Sequence, residues 1–259
     1  ASIAAYNSVA IEVIITVFTL ICGVNFSLYY QALKRNIRDV FKDQEFRFYI
    51  TVIVIAIVLI TINIYDTNYS SIGESLRYSS FQVVTIISTT GYSTADFDQW
   101  PTFSKIILFA LMFFGGCAGS TSGSIKNMRI MLLLKIMRRE LMEIIHPRAV
   151  YSVRMNGKNV DEEVLSEVLI FFFMYMCIFA VGVLLISFDG KDVVTTVSSV
   201  AATLGNIGPG FAMVGPTGNF SVFSDFSKIV LSFCMIIGRL EIYPILLLLI
   251  PSFWRKGNI

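Results

Sequence analysis

Phe103-Ser104-Lys105-Ile106 recurs further along the chain as Phe226-Ser227-Lys228-Ile229, and the same offset carries Leu108 onto Leu231, Met112 onto Met235 and Gly115 onto Gly238. An offset held from Phe103 to Gly115 is an internal repeat, and a repeat settles architecture before any single motif does. Upstream of each copy sits a shorter semi-apolar stretch that ends in a glycine turn, Phe81 to Gly91 in the first and Val193 to Gly205 in the second. A full apolar span precedes each of those. The unit is therefore an outer helix, a short helix with a polar turn and an inner helix, and it occurs twice.

Composition says where such units live. Of 259 residues, 55% are hydrophobic and only 15% are charged, which leaves too little polar surface for a water-soluble domain of this length. Apolar stretches cover residues 8 to 32, 46 to 65, 103 to 134, 164 to 188 and 228 to 251, each long enough to cross a hydrocarbon core about 30 Å thick. Basic residues gather between the first and second spans (Lys34, Arg35, Arg38, Lys42, Arg47), between the third and fourth (Lys135, Arg138, Arg139, Arg148, Arg154, Lys158) and in the tail (Arg255, Lys256). The opposite side carries Asp66, Glu74, Asp96, Asp98, Asp189, Asp192 and Asp225 against Arg77, Lys105, Lys191 and Lys228. The positive-inside rule makes the basic side, and with it the C-terminus, cytoplasmic.

Both flanks of each short stretch fall on the acidic side, and a dozen or so apolar residues are too few to cross. The stretches are expected to be re-entrant. Lipid cannot satisfy the polar groups of an irregular backbone, so two such turns require a cavity lined by protein. The first turn reads Ser88, Thr89, Thr90, Gly91, Tyr92; the second reads Thr203, Leu204, Gly205, Asn206, Ile207, then Gly208, Pro209 and Gly210. Both contain Thr-x-Gly after a short helix. A dehydrated cation needs several oxygens at fixed positions, and backbone carbonyls turned inward with the help of glycine supply them. A helix C-terminus aimed at the cavity favours cations over anions. An ordinary glycine turn would explain one such motif; two within a repeat point to a filter. The carboxylates Asp96, Asp98, Asp189 and Asp192 read equally well as a cation-concentrating rim and as solvated loop residues.

The third span is interrupted by Gly115, Gly116, Cys117, Ala118, Gly119, Ser120, Thr121, Ser122, Gly123 and Ser124, a run that cannot hold a stable helix by propensity. The helix is expected to break there. Lys126 after spaced glycines resembles a phosphate-binding loop only superficially, since Ile125 precedes it and no strand leads in. Close helix packing through small residues is the plain alternative to a loop that blocks or releases ions under the filter. Arg239 stands opposite Gly116 in the repeat, mid-span and close to Glu241. Such a charge must face a cavity or a partner rather than lipid, either as a packing ion pair with Glu241 or as a fixed positive charge that throttles the pathway and hydrogen-bonds the glycine-rich loop.

These segments, from Gly115 to Lys126, from Thr89 to Tyr92, from Thr203 to Gly210 and the run Gly238, Arg239, Leu240, Glu241, together resemble the TrkH and KtrB superfamily of potassium transporters, TrkH most of all. The resemblance covers essentially the whole chain. It implies an all-α membrane protein of a potassium-channel-like fold, built from repeated helix, re-entrant pore helix with filter loop, and helix units, with five transmembrane spans plus two re-entrant segments. It makes residues 1–32 the inner helix of a second pore unit, 33–45 a cytoplasmic linker, 46–138 the third unit with its broken inner helix, 139–159 a linker, 160–253 the fourth unit and 254–259 a cytoplasmic tail. Potassium is then the transported ligand, held by Ser88 to Tyr92 and Thr203 to Ile207, and Gly115, Gly116, Gly119, Ser120, Thr121, Gly123 and Arg239 form the gate. No cofactor is implied in this chain. The implied partners are a second copy in a homodimer, a cytoplasmic nucleotide-binding regulatory subunit of the TrkA kind, the N-terminal half of the same transporter and the lipid bilayer of the inner membrane; no nucleic acid is implied. A ring of four filter loops cannot close from two, and the sequence opens almost directly into a span, so the chain is expected to be the C-terminal portion of a longer transporter.

Two other readings compete. A secondary carrier with broken helices would hold substrate at mid-membrane, but Glu12 and Glu241 are the only acids deep in spans. A membrane anchor would use its loops structurally. Catalysis finds no support, because no nucleophile with a base, metal cluster or acid pair can be assembled. The four cysteines lie in apolar segments and read as small buried hydrophobes, and His146 before Pro147 reads as a loop residue.

Overall fold

The computed structural model describes residues 2–34, 37–149, 151–240 and 242–244. Ten α-helices account for most of them: α1 (Val9–Cys22), α2 (Phe26–Lys34), α3 (Ile37–Val40), α4 (Gln44–Ile64), α5 (Ile72–Ile87), α6 (Thr102–Leu111), α7 (Asn127–Ile145), α8 (Glu162–Ser187), α9 (Val193–Leu204) and α10 (Asp225–Leu240). A two-stranded hairpin, β1 (Arg154–Met155) and β2 (Lys158–Asn159), interrupts the linker before α8.

The two repeats are visible as two three-helix groups. In the first, α4, α5 and α6 share a core in which Tyr49, Ile53 and Ile60 meet Val83, Ile86 and Leu108. Polar links inside that core are satisfied side chain to side chain: Thr61 and Ser79 hydroxyls lie 2.6 Å apart, and Ser104 Oγ donates to Asn63 Oδ1 at 2.7 Å. In the second, α8, α9 and α10 pack through Phe171, Tyr175, Val200, Leu204, Leu231 and Cys234. Gly182 lets α9 approach α8, for a Cβ there would sit 2.9 Å from Val200 Cγ1. Small residues at such crossings are the usual means of close helix association in lipid.

Side-chain contacts collect the predicted outer segments at one end, where Asn68 Nδ2 donates to Gln99 O and Ser224 binds Asp189. The basic linkers meet at the other, where Asn156 binds Asp43 and Lys135 binds Gln44. Helix α4 connects the two ends.

The expected spans arrive with changes. Among the described residues two helices, α4 and α8, are long and apolar enough to cross unbroken. The first expected span is not continuous: α1 and α2 are bent by 88° at Gly23-Val24-Asn25. Glycine is a poor helix residue, and Asn25 Oδ1 accepts the Ser27 amide at 2.8 Å, so a new helix starts there with its own cap. The third span breaks after Leu111 as expected, but α7 then runs to Ile145, past the boundary expected at 138. The first pore helix begins at Ile72 rather than near Phe81, because its polar first half, with Gly73, Glu74 and Arg77, hid it from an apolar search. The last span is described as far as Leu240 and again at 242–244; its remainder and the tail lie outside the described residues.

Candidate ion pathway

Helices α5 and α9 end alike. After α5, Thr89 adopts φ +55° and Gly91 φ +73°; after α9, Asn206 adopts φ +55° and Gly208 φ +114°. The amides follow the same pattern, with Thr89 N donating to Ile86 O and Thr90 N to Thr85 O in one, and Asn206 N to Thr203 O and Ile207 N to Ala202 O in the other. Thr89 therefore matches Asn206 and Gly91 matches Gly208, and the register read from the shared Thr-x-Gly is corrected by three residues. Thr203 and Leu204 are the last two residues of α9, not part of the turn. Thr203 Oγ1 donates back to Ser199 O at 2.8 Å, and the Leu204 side chain is fully buried in the second core. Sequence does not separate the two registers, because Thr203-x-Gly205 and Asn206-x-Gly208 both set a polar residue two before a glycine, and only the left-handed residues mark where the helix stops.

The two turns touch. A Cβ on Gly91 would run into the Ile207 carbonyl, so the positive φ and the close approach both demand glycine there. Ser88 and Thr90 hydroxyls lie 2.8 Å apart, Tyr92 is exposed and Ile207 is buried against the first core. A cavity of about 390 Å³ opens beside them, lined in part by Thr89, Thr90, Asn206 and Gly208.

Directly beneath lies the glycine-rich run, non-helical throughout. An unpaired backbone group costs several kcal/mol at this depth, and the amides of Gly115 to Ala118, Ser120 and Gly123 have protein acceptors. Gly115 N donates to Ile125 O at 2.7 Å, Gly116 N to Ser122 Oγ at 2.6 Å, Cys117 N to Gly23 O at 2.8 Å and Ala118 N to Glu45 Oε1 at 2.6 Å. Gly123 N donates to Thr89 Oγ1 at 2.7 Å, tying the run to the first turn. A Cβ on Gly123 would sit 2.5 Å from Gly205 O, so the run also presses on the second turn. From the opposite side, Arg239 Nη1 donates to Thr121 O at 2.9 Å. Gly119 to Ser124, Lys126, Gly238 and Arg239 line a further cavity of about 390 Å³.

The family model for TrkH, a cation transport protein, matches residues 1–256. The chain belongs to the TrkH family. It is 38% identical over 258 residues to the potassium uptake protein TrkH of Escherichia coli, covering 99% of this chain and 53% of that protein. It is 33% identical over 256 residues to TrkG of the same organism, covering 98% and 52%. The crystal structure of the potassium transporter TrkH from Vibrio parahaemolyticus superposes with a TM-score of 0.89 at 38% identity, covering 98% of this chain and 55% of that one. The chain thus spans about half the length of the TrkH relatives it matches.

Within this TrkH-family chain, Gly119, Ser120, Thr121, Gly123 and Arg239 line one cavity, Gly115 and Gly116 pack against the same run at Gly123 and Ser122, and Ser88 to Tyr92 follow α5 as one turn. The ion pair expected between Arg239 and Glu241 lies outside the described residues on its Glu241 side. Sequence reasoning missed two charged groups at the run. Lys126, considered only as a phosphate binder, donates to Ser120 O at 3.3 Å and to Ser122 O. Glu45, at the start of α4, is 3% exposed and accepts two amides around the run. The deep acid Glu12 is also accounted for, since Arg77 of α5 lies 3.3 Å from its carboxylate. At the acidic end, Asp192 caps α9 through Thr195 N at 2.9 Å and Thr195 Oγ1 at 2.5 Å, and those hydrogen bonds hold its carboxyl below the usual range.

Proposed function

We propose that this chain supplies pore units of a potassium uptake transporter, in which the turns after α5 and α9 strip and coordinate the ion and the glycine-rich run closes the pathway beneath them. The observation that carries the reading is the position of that run, which reaches Thr89 above through Gly123 and Arg239 beside it through Thr121. Carbonyls freed by the left-handed residues at Thr89, Gly91, Asn206 and Gly208 suit a cation that has lost its water. The α5 and α9 C-termini add partial negative charge at the same place.

Arg239 and Lys126 work in the opposite sense. A unit charge about 8 Å from the ion's path adds about 2 kcal/mol to its barrier at an effective dielectric constant of about 20, close to thirtyfold in rate. Held by hydrogen bonds to the run, the two cations act as a throttle rather than as binding sites. Positive charge at the linker end supports a cytoplasmic position for that end and for the C-terminus, in keeping with an inner-membrane protein. Likeness to TrkH further suggests a homodimer, a nucleotide-binding regulatory subunit at the cytoplasmic face and further pore units that complete the ring.

Rubidium uptake into proteoliposomes holding the protein as the cell makes it tests this. Saturable uptake that sodium does not match is expected. No uptake, or uptake indifferent to changes at Gly91, overturns the reading.

A further inference from the structure

Glu45 has no place in the pathway, yet it is among the most deeply buried charged residues described. Burying a carboxylate costs several kcal/mol unless hydrogen bonds replace its water. Here both replacements come from the backbone around the glycine-rich run. Oε1 accepts Ala118 N at 2.6 Å, near the start of the run, and Met128 N at 3.0 Å, in the first turn of α7 just after it. One oxygen therefore pins both ends, and the positive end of the α7 dipole favours a carboxylate where Met128 offers its amide.

The two residues before Glu45 face the other way. Asp43 Oδ2 accepts Asn156 Nδ2 at 2.7 Å, and Gln44 N donates to Asn156 Oδ1 at 2.9 Å. Gln44 Oε1 accepts Lys135 Nζ at 2.6 Å, and the same ammonium donates to Arg154 O at 2.6 Å. Asn156 (φ +48°) and Gly157 (φ +80°) form the tight turn of the β1–β2 hairpin, which projects at the basic end. Asp43 also caps α4 through Phe46 N at 2.8 Å, so the helix end that joins these contacts is itself rigid. Three consecutive residues thus bind the hairpin on one side and the run on the other.

We propose that Glu45 is a positioning residue for the glycine-rich run, and that the hairpin turn at Asn156 is the handle through which the cytoplasmic end moves it. This rests on the gate reading above. Removing Glu45 frees both ends of the run and raises flux; displacing the hairpin shifts the α4 end and acts in the same direction, more weakly.

Rubidium flux is measured for Glu45→Ala, Glu45→Gln, Asn156→Ala, Arg239→Ala and the Glu45→Ala, Asn156→Ala pair, alongside thiol labelling of Thr121→Cys in a background lacking the exposed Cys22 and Cys177. Glu45→Ala is expected to raise flux about tenfold, the shift that follows loss of a hydrogen bond to a charged group. Glu45→Gln keeps an acceptor oxygen and should restore most of the closed behaviour. Asn156→Ala should raise flux by a smaller factor and add nothing in the pair, and labelling of Thr121→Cys should quicken with Glu45→Ala. Should Glu45→Ala fail to fold, Asn156→Ala carries the comparison, and level flux and an unchanged Thr121→Cys labelling rate in that variant overturn the proposal. Unchanged flux with Glu45→Ala beside raised flux with Arg239→Ala overturns the proposal and leaves the gate reading standing. Unchanged flux with Arg239→Ala sinks the gate reading, and labelling then decides the positioning role alone: an unchanged rate overturns it.

Discussion

In the first repeat the inner helix stops at Leu111 and the chain folds through Gly115 to Ser124 before α7 begins; in the second the equivalent helix continues past Gly238 to Leu240. Both carry a glycine at the matched position. One glycine inside a helix costs about 1 kcal/mol, which packing absorbs, and Gly238 has such packing against the Leu204 carbonyl. Four glycines among serines and a threonine cost more than packing returns, and the run folds instead as a loop whose amides are taken by Gly23, Glu45, Ser122 and Thr89. One unit makes a loop beneath the two turns. The other stays straight and so delivers Arg239 to it.

That contrast can be broken or sharpened experimentally. The largest effect is expected from Gly91→Ser, where a Cβ meets the Ile207 carbonyl at φ +73°: rubidium flux should vanish while the protein still assembles. Gly208, matched to Gly91 but with open space around its Cα, should tolerate serine better despite its own φ of +114°. A loss of flux in Gly208→Ser as complete as in Gly91→Ser would show that strain, not contact between the turns, sets the requirement. Arg239→Ala should raise flux about tenfold or more by removing a charge and a hydrogen bond from the run, measured in the same vesicles. Flux that stays level or falls with normal folding contradicts the throttle.

Smaller effects distinguish the two pore helices. Asp192 caps α9 with its side chain, whereas Ser71 before α5 makes no side-chain cap. Asp192→Ala should cost about 1 kcal/mol in thermal unfolding, and Ser71→Ala close to nothing. Because the hydrogen bonds from Thr195 depress the Asp192 pKa in the folded protein, its contribution is full above the ordinary carboxylate range and fades as pH falls through the depressed value. The gap in melting temperature between wild type and Asp192→Ala should therefore close at low pH; a constant gap rules out the charged cap.

Much of this was legible in the chain itself. The repeat gave the units, charge segregation gave the two ends, and the Gly115 to Ser124 run announced its own break. Composition hid what depends on a single dihedral or a distant contact. The register of the second turn depends on whether Thr203 or Asn206 leaves the helix, which no propensity decides. Glu45 sits outside every motif, next to a polar linker, and becomes notable only because Ala118 and Met128 converge on it. The hairpin has a signal in Asn156-Gly157, a pair suited to two-residue turns, but its strands are only two residues each and carry no apolar alternation.

Rubidium-soaked crystals of the assembled transporter, measured at the rubidium edge, bear most directly on the central claim. Anomalous peaks should stand within coordinating distance of the carbonyls from Thr89 to Gly91 and from Asn206 to Gly208, with none below the glycine-rich run. Peaks confined to carboxylates such as Asp189, or absent from both turns, would contradict the account.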